Sequence, residues 1–302
     1  MRDVTEVIDP GLIDGCDEAR AFAGSVAGVL TRLGYTPSSW RPGELADDHD
    51  REAAVTDGLE AIGWRAVAGD AGLAGFAGLA SVELGRRLAP IGLVDGLLGA
   101  SPLVDGLARG LGSPPIALVR EQGRLVRRPV LALRPRPSAE GLRVWQVQGL
   151  GEADGDAVGG ESWEVALGAW LASSIGYLAG LGLGALDLTV DYVGQRRAFG
   201  GTLAALAPVQ QLLAGAATSV RGVRLLAAQE PSGSQPPGVQ VRAQADALTH
   251  AGDVTVAACA ACQQVTGAIG FTLDYPLHRY AQRARALATW NDALLDALLD
   301  TG

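Results

Sequence analysis

Few side chains in this sequence are equipped for chemistry. In "DYVGQRRAFGG", Asp191 to Gly201, two arginines precede an aromatic and two glycines, a combination unlike ordinary helix surface. Arg196 and Arg197 stand within helical reach of Asp187 and Asp191 and can pair with them on a helix face. Cys259 and Cys262, in "ACAACQQ", have the spacing of redox and metal pairs. There is no second pair and only His49, His250 and His278 beside it, so two small buried helix residues is the better reading. His278, in "YPLHRY", could exchange a proton near neutral pH, but no paired group marks it, which also fits helix surface. "GYLAGLGLG" contains Gly-x-x-x-Gly-x-Gly, yet it lies within a helical pattern and not after a strand, so it fails as a dinucleotide loop.

The elements that must position these groups come in three runs. Residues 1–113 read as a helical domain. There, "EARAFAGSVAGVLTRLG" spaces its apolar residues three and four apart and stops on Gly34, and Pro90 and Pro102 break the later helical pattern. Residues 114–160 alternate apolar with polar and are broken by Gly, Pro and Asp, a reduced β section of four or five short strands. Residues 161–302 return to helix, with "EPSGSQPPG" as a loop and Pro208 suited to a first helical turn. Val165 to Val190 is apolar enough to span a bilayer and carries Gly176-x-x-x-Gly180. Glu161 and Glu164 precede it with no basic cluster, so a buried helix of a bundle is expected, and no membrane partner.

Bulk composition narrows the function classes. The chain has 302 residues, 48% of them hydrophobic and 19% charged, which is a folded protein with ample core. Its net charge is −9 and all 24 basic residues are arginine, which argues against general nucleic-acid binding. Three scattered cysteines suit a reducing cytoplasm better than a disulfide framework, and the acidic N-terminus does not read as an export signal.

Several strings, in order, resemble the acyl-CoA dehydrogenase family. "YVGQRRAFGGTLAALAPVQQLLAG" is similar to that family's signature at the end of the bundle's first helix. "CQQVTGAIGFTLDYPLHRYAQRARAL" resembles its later glycine turn, and "AIGWRAVAGDAGLAGFAGLASVELGRRLAP" its closing N-terminal helices. The resemblance implies a mainly α fold: an N-terminal helical domain, a middle β domain and a C-terminal four-helix bundle. It also implies FAD, either shared across a subunit interface or lost. Arg196 matches the arginine that reaches the pyrophosphate of a flavin held by a neighbouring subunit, a role suited to a planar donor fork. Phe199, Gly200, Gln210 and Gly267 fall in the same cofactor-binding strings.

The departures from that family matter as much. Its glutamine at the opening of the next helix falls on Ala207, its later glycine pair reads Gly267-Ala268, and its Thr-Glu-Pro…Gly-Ser-Asp strand motif is missing. The glutamate that removes a proton beside the thioester carbonyl occupies one of two places in family members. Here those places hold Asn291, within Trp290-Asn291-Asp292, and Trp170. An amide and an indole have no useful basicity, and a positioned base contributes about 10²–10⁴ in rate. Asp292 could serve only by a one-residue shift, and Trp170 and Trp290 would narrow or fill the substrate pocket.

These residues fit two functions. The first is a degenerate acyl-CoA dehydrogenase-like subunit that completes the flavin and acyl-thioester site of a partner, in a homo- or hetero-oligomer. The alternative is a flavin-independent biosynthetic enzyme, of dehydratase, cyclase or isomerase type, acting on an acyl or polyketide chain. It would use acids and bases such as His278, Tyr280, Asp292 and Glu164.

Overall fold

The computed structural model describes residues 17–35, 49–110, 112–136, 142–153, 157–229 and 237–299. The N-terminal part contains α1 (Asp17–Arg32), α2 (His49–Glu60), the short α3 (Trp64–Ala68), α4 (Ala74–Arg86) and the single turn α5 (Gly92–Asp95). Leu88, just past α4, holds a left-handed φ of 54°, and the carbonyls around it find side-chain donors instead of a further helical turn. Tyr280 Oη donates to the Arg86 carbonyl at 2.7 Å, and Arg283 Nη1 donates to the Leu88 carbonyl at 2.8 Å.

Strands β1 (Ser101–Val104), β2 (Leu107–Arg109), β3 (Ile116–Glu121), β4 (Arg124–Arg136) and β5 (Val144–Leu150) close a small barrel in the order β1-β2-β5-β4-β3. β1 and β3 are parallel and the other neighbours antiparallel. The barrel therefore starts inside the stretch that reads as helical, ahead of residue 114. The cause is a two-residue turn: Asp105 and Gly106 both adopt left-handed φ, 50° and 74°, the geometry of a tight hairpin. Gln122 and Gly123 make the same turn between β3 and β4, with φ of 49° and 79°.

The remainder is a helical bundle: α6 (Glu161–Gln195), α7 (Ala207–Ala227), α8 (Pro237–Thr266) and α9 (Leu277–Leu298). Between α6 and α7, β6 (Arg197–Ala198) and β7 (Gly201–Thr202) form a two-stranded ribbon. The most apolar stretch of α6 is 83% buried, as expected of a core helix, whereas that of the comparably apolar helix spanning Val239–Phe271 is 39% buried. The glycines of α6 explain the first figure. A Cβ on Gly176 would overlap the Gly78 carbonyl, and one on Gly180 would overlap the Val82 carbonyl. Helices α4 and α6 thus touch backbone to backbone, which is the purpose of the Gly-x-x-x-Gly spacing here.

Candidate functional site

The two positions expected to bear the proton-removing glutamate come together. Trp170 lies near the start of α6 and Asn291 near the end of α9, and both contact a buried ion pair that the sequence did not suggest. Asp95, the last residue of α5, accepts from Arg109 of β2 through both oxygens, Nε to Oδ2 and Nη2 to Oδ1, each at 2.8 Å. Trp170 Nε1 donates to Asp95 Oδ1 at 3.2 Å. Asn291 Oδ1 accepts from Arg109 Nη1 and Nη2, both at 3.3 Å. The guanidinium carbon also stands 5.9 Å from the centre of the half-buried Trp290 ring, a cation–π arrangement.

Chemistry follows from that geometry. Arg109 is 2% exposed and Asp95 6%, and Trp170 and Asn291 are buried with them. The carboxylate in this cluster has each oxygen hydrogen-bonded to the guanidinium in a bidentate pair. Both oxygens are buried and paired, and Oδ1 also accepts from Trp170, so the carboxylate is turned inward and away from solvent. The cluster is a filled junction.

The neighbours on α9 face elsewhere. Asp292 is exposed, accepts from Thr249 Oγ1 at 3.0 Å, and lines a cleft of about 1040 Å³ between the barrel and the bundle. Glu164, Asp246, Asp296, Arg124 and Arg242 line the same cleft over an apolar floor that includes Trp163 and Leu167. His278 belongs to neither place. It sits in the first turn of α9, thirteen residues before Asn291, so roughly 20 Å away along the helix. It is buried and not on the surface as its setting suggested, with Nδ1 2.7 Å from the Tyr275 carbonyl. Tyr280 is spent on the Arg86 carbonyl, and burial pushes its hydroxyl pKa well up. Cys259 and Cys262 are both buried and their thiols are likewise pushed up by burial. Among the described residues no cluster of His, Cys, Asp or Glu could hold a metal ion.

The residues of the arginine and glycine strings gather at the opposite end of the bundle. Arg196 caps the C-terminus of α6 with its side chain exposed, and neither it nor Arg197 forms an ion pair with a described residue. Of the two intramolecular partners that spacing suggested, Asp187 and Asp191, the first is taken by Arg86 at 2.7 Å. Phe199 is 90% exposed and turns the ribbon with Gly200, at φ of 54° and 83°. Gly267, at φ 67°, begins the turn after α8, where Phe271 is also exposed. Tyr192 and Tyr275 hold the two turns side by side, their ring centres 5.8 Å apart, and Tyr275 Oη donates to the Leu188 carbonyl at 2.7 Å. Gln210 instead folds back, its Nε2 donating to the Ala204 carbonyl at 2.7 Å. Twenty-six residues of one continuous helix separate Trp170 from Arg196, about 39 Å, so no side chain bridges the two ends.

Comparison with known proteins agrees with this architecture. Residues 171–291 match the family model described as acyl-CoA dehydrogenase, C-terminal domain. A 3-sulfinopropanoyl-CoA desulfinase of Paraburkholderia xenovorans is 33% identical over 107 residues, which are 35% of this chain and about a quarter, 27%, of that protein. Among solved structures, the Tcur3481-Tcur3483 steroid ACAD variant superposes with a TM-score of 0.70 at 18% identity, covering 94% of this chain and 97% of that one. The ChsE4-ChsE5 complex from Mycobacterium tuberculosis gives 0.68 at 18% identity, covering 98% and 100%. The chain has the fold of these acyl-CoA dehydrogenases, and within its bundle residues 171–291 match the model of that family's C-terminal domain.

Proposed function

We propose that this chain is an acyl-CoA dehydrogenase-like subunit that completes the flavin and acyl-thioester site of a partner subunit and does not dehydrogenate a thioester by itself. One observation carries the reading: the end of the bundle that bears Arg196 is open, while the locus of the base is filled. FAD supplies the hydride acceptor in this family. The residues here fit part of that cofactor only. Arg196 presents an uncommitted fork, and a Cβ on Gly200 or Gly267 would meet nothing within 4 Å, so an anion approaching from outside has room. At the other end, Asp95, Arg109, Trp170 and Asn291 are buried against one another, at the two positions where the resemblance places the base. The roughly 39 Å between the ends means that what Arg196 grips is not what Asn291 would act on. The similarity to the ChsE4-ChsE5 complex supports an assembly with a related subunit.

Co-expression with an acyl-CoA dehydrogenase-like partner tests this reading. The complex should be yellow and active, and Arg196→Ala should release flavin while leaving the two chains associated. A complex that keeps its flavin with Arg196→Ala sinks the proposal. The cleft beside Asp292 favours a second reading, a flavin-free enzyme for an acyl or polyketide chain with Asp292 and Glu164 as its acids. That reading requires Asp292→Asn to abolish turnover in a colourless, folded protein.

A further inference from the structure

The Asp95–Arg109 cluster draws residues from every part of the molecule. Asp95 ends the N-terminal helices, Arg109 ends β2 of the barrel, and Trp170 and Asn291 come from two bundle helices. Its long-range contacts span 75 residues, Trp170 to Asp95, and 182 residues, Arg109 to Asn291. Four of the five guanidinium N–H groups are used, two on Asp95 and two on Asn291. Moving any one section would strand the others' polar groups out of water, which is costly. We infer that the Arg109–Asp95–Asn291–Trp170 cluster is a latch that fixes the N-terminal helices, the barrel and the bundle against one another, so that this chain folds and stays folded without a cofactor between its sections.

The latch goes beyond the partner-subunit reading and is tested separately, on the isolated full chain. Removing one member of a buried ion pair leaves the other desolvated and unpaired, so Asp95→Asn and Arg109→Met should each lower the melting temperature by about 6–15 °C. Because both changes abolish the same interaction, the double variant should melt no lower than the worse single one. Asn291→Leu removes the link between Arg109 and α9 and should speed amide exchange in β2, β5 and the second half of α9 together, leaving α7 protected. Should the charge-removing variants fail to fold, Arg109→Lys, which keeps the charge and loses the fork, gives the same comparison with Asn291→Leu. Added FAD should not move the parent's melting temperature. Additive losses in the double variant would overturn the latch, as would exchange unchanged by Asn291→Leu, or a chain that stays unfolded until FAD is supplied.

Discussion

The backbone contact between α4 and α6 can be perturbed with one methyl group. An alanine at Gly180 would place its Cβ 2.7 Å from the Arg86 amide nitrogen and 2.9 Å from the Val82 carbonyl carbon, in addition to overlapping the Val82 oxygen. Ordinary contact begins at about 3.4 Å, so α4 must retreat by about 0.7 Å even to clear the nitrogen. All three obstacles are backbone, and none can rotate away as a side chain would. Gly176 and Gly184 on the same helix also lie against the α4 backbone, so tilting one helix to relieve Gly180 tightens the others. Overpacking of this kind costs about 1–3 kcal/mol, and the upper half applies because nothing yields. Gly222 on α7 is the control: a Cβ there meets nothing within 4 Å, and Gly222→Ala should stabilise by about 0.5–1 kcal/mol through helix propensity. In a thermal melt followed by circular dichroism, Gly180→Ala should fall by about 4–10 °C and Gly222→Ala rise by about 2 °C. If Gly180→Ala melts level with or above the parent, the helices are not in backbone contact and the reasoning fails.

Burial sets the other expectations. The protonated hydroxyls of Tyr177, Tyr275 and Tyr280 and the thiols of Cys259 and Cys262 are favoured by burial, with Tyr275 pushed up to about 12. Such groups stabilise fully below their unfolded values, about 8.5 for Cys and 10 for Tyr, and lose that contribution as pH rises toward the folded values. Melting temperature should therefore drop steadily between about pH 9 and 12, and a flat profile there would contradict the burial of these rings. On a Cys16→Ser background, a thiol reagent at about pH 8 should label neither Cys259 nor Cys262 until the chain is unfolded. Phe199→Ser, which removes an exposed ring, should leave the melting temperature of the lone chain within about 1 °C. It should weaken association with a partner, measured by analytical ultracentrifugation, and equal affinity would remove Phe199 from the contact surface.

Much of this architecture was legible because local rules and the fold agree. Turn chemistry and apolar spacing mark the bundle helices, and Gly176-x-x-x-Gly180 announces a helix that another approaches closely. The hairpin of β1 and β2 was also written in the sequence, as Asp105-Gly106. It was hidden because strands of four and three residues leave no alternation to see, and Pro102 reads as a helix break. The Asp95–Arg109 pair is a different case. Nothing in "IGLVDGLLGASPLVDGLARG" distinguishes a carboxylate and a guanidinium bound for the interior from two solvated charges. Their burial depends on Trp170 and Asn291, 75 and 182 residues distant from their partners. The same limit affected His278, whose burial beside the Tyr275 carbonyl comes from tertiary packing and not from its neighbours in sequence.

The most direct measurement is the visible absorbance of the purified chain, alone and after co-purification with an acyl-CoA dehydrogenase-like partner. A colourless lone chain and a yellow complex that bleaches with Arg196→Ala is the predicted outcome. A lone chain that carries tightly bound flavin and oxidises an acyl thioester unaided would contradict a reaction centre sealed by Arg109 and Asp95.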